Sequence, residues 1–229
     1  MTYLYLLINI VSFSVPFIYS FEKKMRFIQY WKVVFLSILI VAVPFLIWDV
    51  IFTLNGVWGF NSKYYLGITI FKLPLEEILF FICIPYASIF THYAFEYFFK
   101  NLKFSNKVTK TISLFLLITA IVFLLYGFPK AYTTVNFSLF VFLMCYSLLS
   151  KNNVLNRFYI TFLVVLFPFF IVNGLLTGSF IAEEVVWYNN AENLGLRIGT
   201  VPIEDVFYAF NMLYPALILI EKFKLNKNV

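Results

Sequence analysis

Two pairs of neighbouring carboxylates carry the clearest chemical potential in this chain. Glu76-Glu77 lies in Lys72-Leu73-Pro74-Leu75-Glu76-Glu77-Ile78-Leu79-Phe80-Phe81, and Glu204-Asp205 in Thr200-Val201-Pro202-Ile203-Glu204-Asp205-Val206-Phe207-Tyr208-Ala209. Each pair follows a proline and opens a long apolar segment. Proline at the first helical position and acids in the first turn are ordinary helix grammar, facing the positive end of the dipole. Two copies at the edges of apolar segments, where charge is costly, make these carboxylates functional candidates as well. Successive helix residues point about 100° apart, so each pair aims one carboxyl group at a shared cavity while the other orients it or satisfies backbone. A carboxyl group in a dry, apolar cavity keeps its proton, which is the state an acid-initiated alkene reaction needs.

Other polar groups fall near the same level. Asp49, in Trp48-Asp49, closes an apolar run on the side of the two motifs, either in a direct role or as an interfacial acid bonding a neighbouring helix. Asn173 and Thr177 occupy the corresponding end of a later run and are placed to supply hydrogen bonds. Aromatic residues make up 22% of the chain, with 31 Phe, and most must face lipid or fill helix contacts. Phe80, Phe81, Phe207, Tyr208 and Phe210 next to the acids, with Trp58 and Trp187 in the outer loops, could stabilise a carbocation through their π faces. His92 lies about 24 Å along the helix from Glu76, so neither it nor Glu96 can serve the motif, and packing or interfacial roles suit both. Histidine and cysteine spacing supports no metal site.

These groups need a scaffold, and the composition says what kind. The 229 residues are 62% hydrophobic and 12% charged, with a mean hydropathy of +0.90. A soluble domain carries about a quarter charged residues, so the medium is lipid. Apolar runs long enough to cross a bilayer recur at 3–20, 31–53, 74–98, 111–128, 131–150, 158–177 and 202–221, predicting an all-α polytopic membrane protein of about seven spans. Gly127-Phe128-Pro129-Lys130 reads as a tight turn between antiparallel helices. The first run, after Met1-Thr2-Tyr3, lacks a basic leader and a small-residue cleavage site, so it reads as a retained span. Cys83 and Cys145 fall inside spans and read as buried thiols.

The net charge of +6 is sorted by loop, which argues for membrane topology rather than nucleic-acid binding. Thirteen basic residues fall on one side: Lys23, Lys24, Arg26, Lys32, Lys100, Lys103, Lys107, Lys110, Lys151, Arg157, Lys222, Lys224 and Lys227. Four fall on the other: Lys63, Lys72, Lys130 and Arg197. The positive-inside rule then places the N-terminus outside and the C-terminus in the cytoplasm.

The two acidic motifs lie 128 residues apart, as do Gly67 and Gly195, and Trp58 matches Trp187 within one residue. The offset carries spans one to three onto five to seven and leaves span four as a connector. Three spans end on the face opposite their start, so one extra helix is needed to keep both copies parallel. The result is a 3+1+3 repeat about an axis near the membrane normal, with the site expected between the halves.

At these residues the chain resembles the non-flavoprotein lycopene cyclases. Trp48-Asp49, Gly56-Val57-Trp58-Gly59-Phe60-Asn61 and Leu73-Pro74-Leu75-Glu76-Glu77 are similar to the family's first half. Asn173-Gly174, Thr177-Gly178, Val185-Val186-Trp187-Tyr188-Asn189 and Leu196-Arg197-Ile198-Gly199-Thr200-Val201-Pro202-Ile203-Glu204-Asp205 are similar to its second. The resemblance implies a first half at 1–100, a connector at 101–130 and a second half at 131–229. It further implies redox-neutral cyclisation of lycopene, or a related linear carotenoid, in a bacterial cytoplasmic membrane. Glu76 or Glu77 and Glu204 or Asp205 would supply acid and base, and Asp49 joins them as a catalytic candidate. Trp58, Phe80, Phe81, Asn173, Thr177, Trp187 and Tyr208 are the candidates for holding the polyene. No cofactor is expected, since no Gly-x-Gly-x-x-Gly follows a strand, and no nucleic-acid partner is expected.

A transporter is the rival from another class: parallel repeats also build small exporters, and Pro44, Pro85, Pro168 and Pro215 could act as hinges. Its polar path is missing, because the acids gather at one face. A polyprenyl transferase would need Asp-rich magnesium sites, and the chain has only Asp49 and Asp205. Ring type, number of ends cyclised and oligomeric state stay open.

Overall fold

The computed structural model describes residues 2–150 and 152–225; Lys151 and Lys227 of the charge count lie outside them. In chain order the helices and short strands are α1 (Leu4–Tyr19), α2 (Trp31–Leu54), β1 (Trp58–Phe60), β2 (Thr69–Ile70), β3 (Leu73–Pro74) and α3 (Leu75–Phe98). There follow α4 (Asn106–Gly127), α5 (Ala131–Leu149), α6 (Leu155–Leu176), β4 (Val186–Tyr188), β5 (Arg197–Ile198), β6 (Val201–Pro202) and α7 (Ile203–Leu225). The protein is an all-α polytopic membrane protein. Helices α2 to α7 are each long and apolar enough to cross a bilayer, whereas α1, at 16 residues, is apolar but shorter. A span needs about 20 residues. At the end of α1 the Ser20 hydroxyl bonds the Pro16 carbonyl and the Tyr86 hydroxyl (2.6 and 2.5 Å), which ties that end to α3.

Helix α4 shows how these sequences fold for lipid rather than water. Its inward residues are small or polar: Thr109, Ser113, Ala120 and Gly127 are buried. Leu114, Phe115, Ile118, Val122 and Leu125 project outward, each more than half exposed. In water that arrangement would be inside out; in hydrocarbon, close packing through small residues holds helices together. Ser113 also bonds the Tyr159 hydroxyl of α6 (2.7 Å). The helix begins five residues before the apolar run, because Ser105 caps its start by accepting from the Val108 amide. Of the two cysteines, Cys83 is half-buried, but Cys145 is exposed on the outer face of α5, which corrects the expectation of two buried thiols. A lipid-facing site is as apolar as a core, so hydrophobicity alone does not separate the two.

Helices α2, α3, α6 and α7 form the centre, with α1 laid against α3, α5 against α7, and α4 against α5. The loops above this centre repeat in detail. Hairpins β2–β3 and β5–β6 each precede an acid-bearing helix, pairing Ile70 with Leu73 and Ile198 with Val201. Leu75 N donates to Ile68 O, and Ile203 N donates to Leu196 O, both at 2.9 Å. Gly67 and Gly195 hold φ of 84° and 73° in the preceding loops, a region costly for a residue with a Cβ.

The halves meet in the antiparallel pair β1–β4, with Gly59 opposite Trp187 and Trp58 opposite Tyr188. Asn61 N donates to Val185 O, and Asn189 N donates to Val57 O, both at 2.9 Å, a reciprocal exchange expected of a local two-fold. Gly59 and Trp187 are therefore equivalent positions, and Trp58 corresponds to Val186, not to Trp187. The one-residue slip matters because neighbouring strand residues face opposite sides. Trp58 is buried; Trp187 is 39% exposed and lies over Gly59.

Candidate active site

The carboxylates of each pair part company at the first turn of their helices. Glu76 turns toward its preceding loop, where Oε1 accepts from Leu66 N at 2.8 Å. Glu204 does the same with Leu194 N at 2.7 Å and also accepts from the Thr133 hydroxyl at 2.8 Å. Both are fully buried, and both fasten a hairpin to a helix. Their neighbours Glu77 and Asp205 point instead into a cavity of about 310 Å³, within the range of ligand sites.

Matching residues of α1 and α5 hold these acids. The Tyr5 hydroxyl donates to Glu77, and the Tyr132 hydroxyl donates to Asp205 at 2.6 Å. One turn further along, Asn9 donates to the Glu76 carbonyl at 2.8 Å, and Asn136 donates to the Glu204 carbonyl at 2.6 Å. Residues four apart share a helix face, so one Tyr-x-x-x-Asn stripe grips both members of a pair. Sequence reasoning missed these residues. The signal was present, as Tyr5-Leu6-Leu7-Ile8-Asn9 and Tyr132-Thr133-Thr134-Val135-Asn136, but its spacing differs by one residue from that of the acidic motifs.

The second half adds a donor that the first lacks. The Tyr188 hydroxyl donates to Asp205 at 3.1 Å. Enclosure under the loops, and then the nearby Asp205, hold the Tyr188 phenol well above its ordinary range, so it stays protonated. Asp49 completes the set from α2, accepting from the Trp58 indole at 2.5 Å. Asp49, Glu77 and Asp205 thus face one space from three helices.

Trp58, Phe80, Phe81, Asn173, Thr177 and Tyr208 line the same cavity. Tyr208 sits 6.5 Å from Phe81 and 6.4 Å from Trp58 between ring centroids, and Trp58 sits 5.1 Å from Tyr132. Asn173 and Thr177 satisfy themselves partly on backbone, and Thr177 bonds Thr200 at 2.7 Å. Three aromatic candidates lie elsewhere. Trp187 covers the outer face of β1; Phe207 packs on Phe137 and Phe140, and Phe210 on Phe140 and Phe158. Single-sequence proximity to the acids misplaced these two because helix neighbours face different ways.

His92 is buried at the other end, bonded through Nδ1 to the Thr161 hydroxyl at 2.7 Å, and Glu96 pairs with Arg157. Among the described residues no cluster of metal-ligating side chains occurs.

A family model described as lycopene cyclase matches residues 2–98 and 129–223. Curated proteins and solved structures give no match. Each matched region contains one acidic pair with its Tyr-x-x-x-Asn helix, and the interval between them holds α4. Because the match spans most of the chain, the chain belongs to the lycopene cyclase family.

Proposed function

We propose that the chain cyclises the linear ends of lycopene to β-ionone-type rings by acid catalysis, without a cofactor. The observation that carries this reading is the convergence of Glu77, Asp205 and Asp49 on one apolar, aromatic-walled cavity. Glu77 donates the proton. It adds to the terminal double bond and leaves a tertiary cation. The next suitably placed double bond supplies the electron pair for a new carbon–carbon bond, closing a six-membered ring and moving the cation into it. Asp205 takes a proton from the adjacent carbon, which restores the alkene and leaves an isomer of the starting polyene. Return of that proton from Asp205 to Glu77 resets the site.

The donors support this division of roles. Asp205 accepts from two tyrosine hydroxyls, Tyr132 and Tyr188, which stabilise its anion, whereas among the described residues Glu77 accepts from Tyr5 alone. Anionic Asp205 also lowers the energy of the cation in the cavity, with the faces of Trp58, Tyr208 and Phe81 adding to that effect. Apolar walls keep water from capturing the cation. The distribution of basic residues supports an orientation with the acid-bearing end away from the cytoplasm, in what we take to be a bacterial cytoplasmic membrane.

The test is the pigment profile of lycopene-accumulating bacteria expressing the chain. Monocyclic or bicyclic carotene is the expected outcome, and its absorption spectrum identifies the ring. Unchanged lycopene with the protein folded in the membrane would refute the reading.

A further inference from the structure

The two halves repeat their acid pairs but not their cavities. The cavity follows α3 from Glu77 past Ile84 and Ala87 to Thr91, with α6 along one side, Ala209, Met212 and Leu213 of α7 along another, and Ser12 and Pro16 of α1 beside it. Glu77 to Thr91 is about 21 Å of helix rise. The internal repeat carries this groove onto the space between α7 and α2. The register of that comparison is set by backbone: Val57 N donates to Phe52 O, and Val185 N donates to Leu176 O, so the ends of α2 and α6 correspond. It aligns Pro44 with Pro168, Phe45 with Phe169, Trp48 with Val172 and Asp49 with Asn173. On the acid-bearing helices, Tyr208 of α7 aligns with Phe80 of α3.

In the second groove the aromatic side chains occupy the space. Tyr208 lies 4.9 Å from Trp48 and 5.0 Å from Phe45, and Phe45 lies 5.5 Å from Trp48, all between ring centroids. At the corresponding level of the first groove Val172 replaces the indole, and Phe80, Val172 and Phe169 stand at the wall of open space. Interiors pack to crystal-like density, so exchanging an indole for an isopropyl group decides whether a hydrocarbon chain can pass.

Resting on the cyclase reading above, we propose that the α3–α6 cleft is the route by which the polyene reaches the acids. Trp48, wedged between Phe45 and Tyr208, closes its counterpart between α7 and α2. One end of the substrate is therefore cyclised in each binding event. The one-ringed product returns to the bilayer, and its second end is processed only after the molecule turns round and binds again. Trp48 acts as a specificity-determining residue and is not among the described residues that line the cavity holding Glu77 and Asp205.

The experiment uses the full-length chain in phospholipid vesicles loaded with excess lycopene, with products separated by chromatography over time. Early product should be one-ringed, with two-ringed product absent or delayed. Two-ringed product from the first turnovers, with no free one-ringed carotene, would overturn the proposal. Ala87→Trp fills the open cleft and should abolish all ring formation. Persistent ring formation in that variant would equally overturn it. Trp48→Val gives α2 the residue that α6 carries, and should raise the two-ringed share of early product; an unchanged share removes Trp48 as the closing residue. Detergent melting of each variant checks folding, and the time course of the natural chain decides the matter if Ala87→Trp does not fold. Absence of any ring from the folded natural chain is a different result, because it removes the cyclase reading itself.

Discussion

The two halves of this molecule are built alike where they hold carboxylates and differently where they meet the cavity. In both, a glutamate at the second helical position ties a hairpin to its helix, and a Tyr-x-x-x-Asn stripe on a neighbouring helix clamps the acidic turn. Beyond that frame they diverge. The first half presents a glutamate with one tyrosine donor, the second an aspartate with two. At equivalent ends of α2 and α6 stand a carboxylic acid, Asp49, and an amide, Asn173. A duplicated scaffold can thus place two acids symmetrically, while a few substitutions give them unequal surroundings. The acid–base chemistry proposed above requires that inequality, because one group must give a proton and the other receive it.

The sharpest test of the comparison separates cavity-facing acids from their neighbours. Glu77→Gln and Asp205→Asn should each lower ring formation by at least about 100-fold, the lower end for loss of a general acid or base, with melting little changed. Lycopene conversion measured in membranes, beside thermal unfolding in detergent, reads both. Wild-type conversion in either variant would remove that carboxylate from the chemistry.

A smaller effect distinguishes the two fastening glutamates. Glu76→Gln and Glu204→Gln each keep the oxygen that the loop amide donates to but place a buried NH2 where the second carboxyl oxygen has no partner, with an expected cost of about 1–3 kcal/mol in stability. Glu204→Gln should cost more, because Glu204 also accepts from Thr133. Equal melting temperatures would contradict the unequal networks. Asn136→Ala should similarly exceed Asn9→Ala, since Asn136 also accepts from the Asn211 amide at its carbonyl oxygens (2.9 and 2.8 Å).

The strand pair between the halves predicts a milder change. A Cβ at Gly59 would fall inside the Trp187 indole, so Gly59→Ala must push that ring outward. Trp187 is partly exposed and can yield, for a cost of about 1 kcal/mol, visible as a shift in its fluorescence and a modest drop in melting temperature. No fluorescence change would mean the ring does not lie over β1.

The smallest effect lies outside the membrane. Lys63 bonds Glu183 at 2.7 Å across the halves, and that hydrogen bond holds the Glu183 carboxyl below its usual range. The sign follows: any stabilisation is present above the unfolded pKa and is lost as pH falls through the lowered one. Both groups are exposed, so solvent screens the pair. Lys63→Ala should leave the melting temperature unchanged from neutral to acidic pH, and a pH-dependent loss would show the pair to be stronger than its exposure implies.

The helices and their order were legible because a bilayer demands long apolar runs, and only α1 proved shorter than the others. The acidic motifs were legible because charge at a membrane boundary is rare. The Tyr5 and Tyr132 donors escaped notice because tyrosine is common in this chain and their spacing is one residue out of step with the acids. Trp187 was misread for a related reason: two tryptophans one register apart look equivalent in a sequence and face opposite sides of a strand.

The sequence alone therefore determined the membrane setting, the repeat and the two places where carboxylates gather, since each depends on hydrophobicity and local spacing. Tertiary structure decided which member of each pair faces the cavity, which hydroxyls hold it, and which of two related grooves is open. Those outcomes depend on the direction and volume of side chains meeting from different helices, which no local pattern encodes.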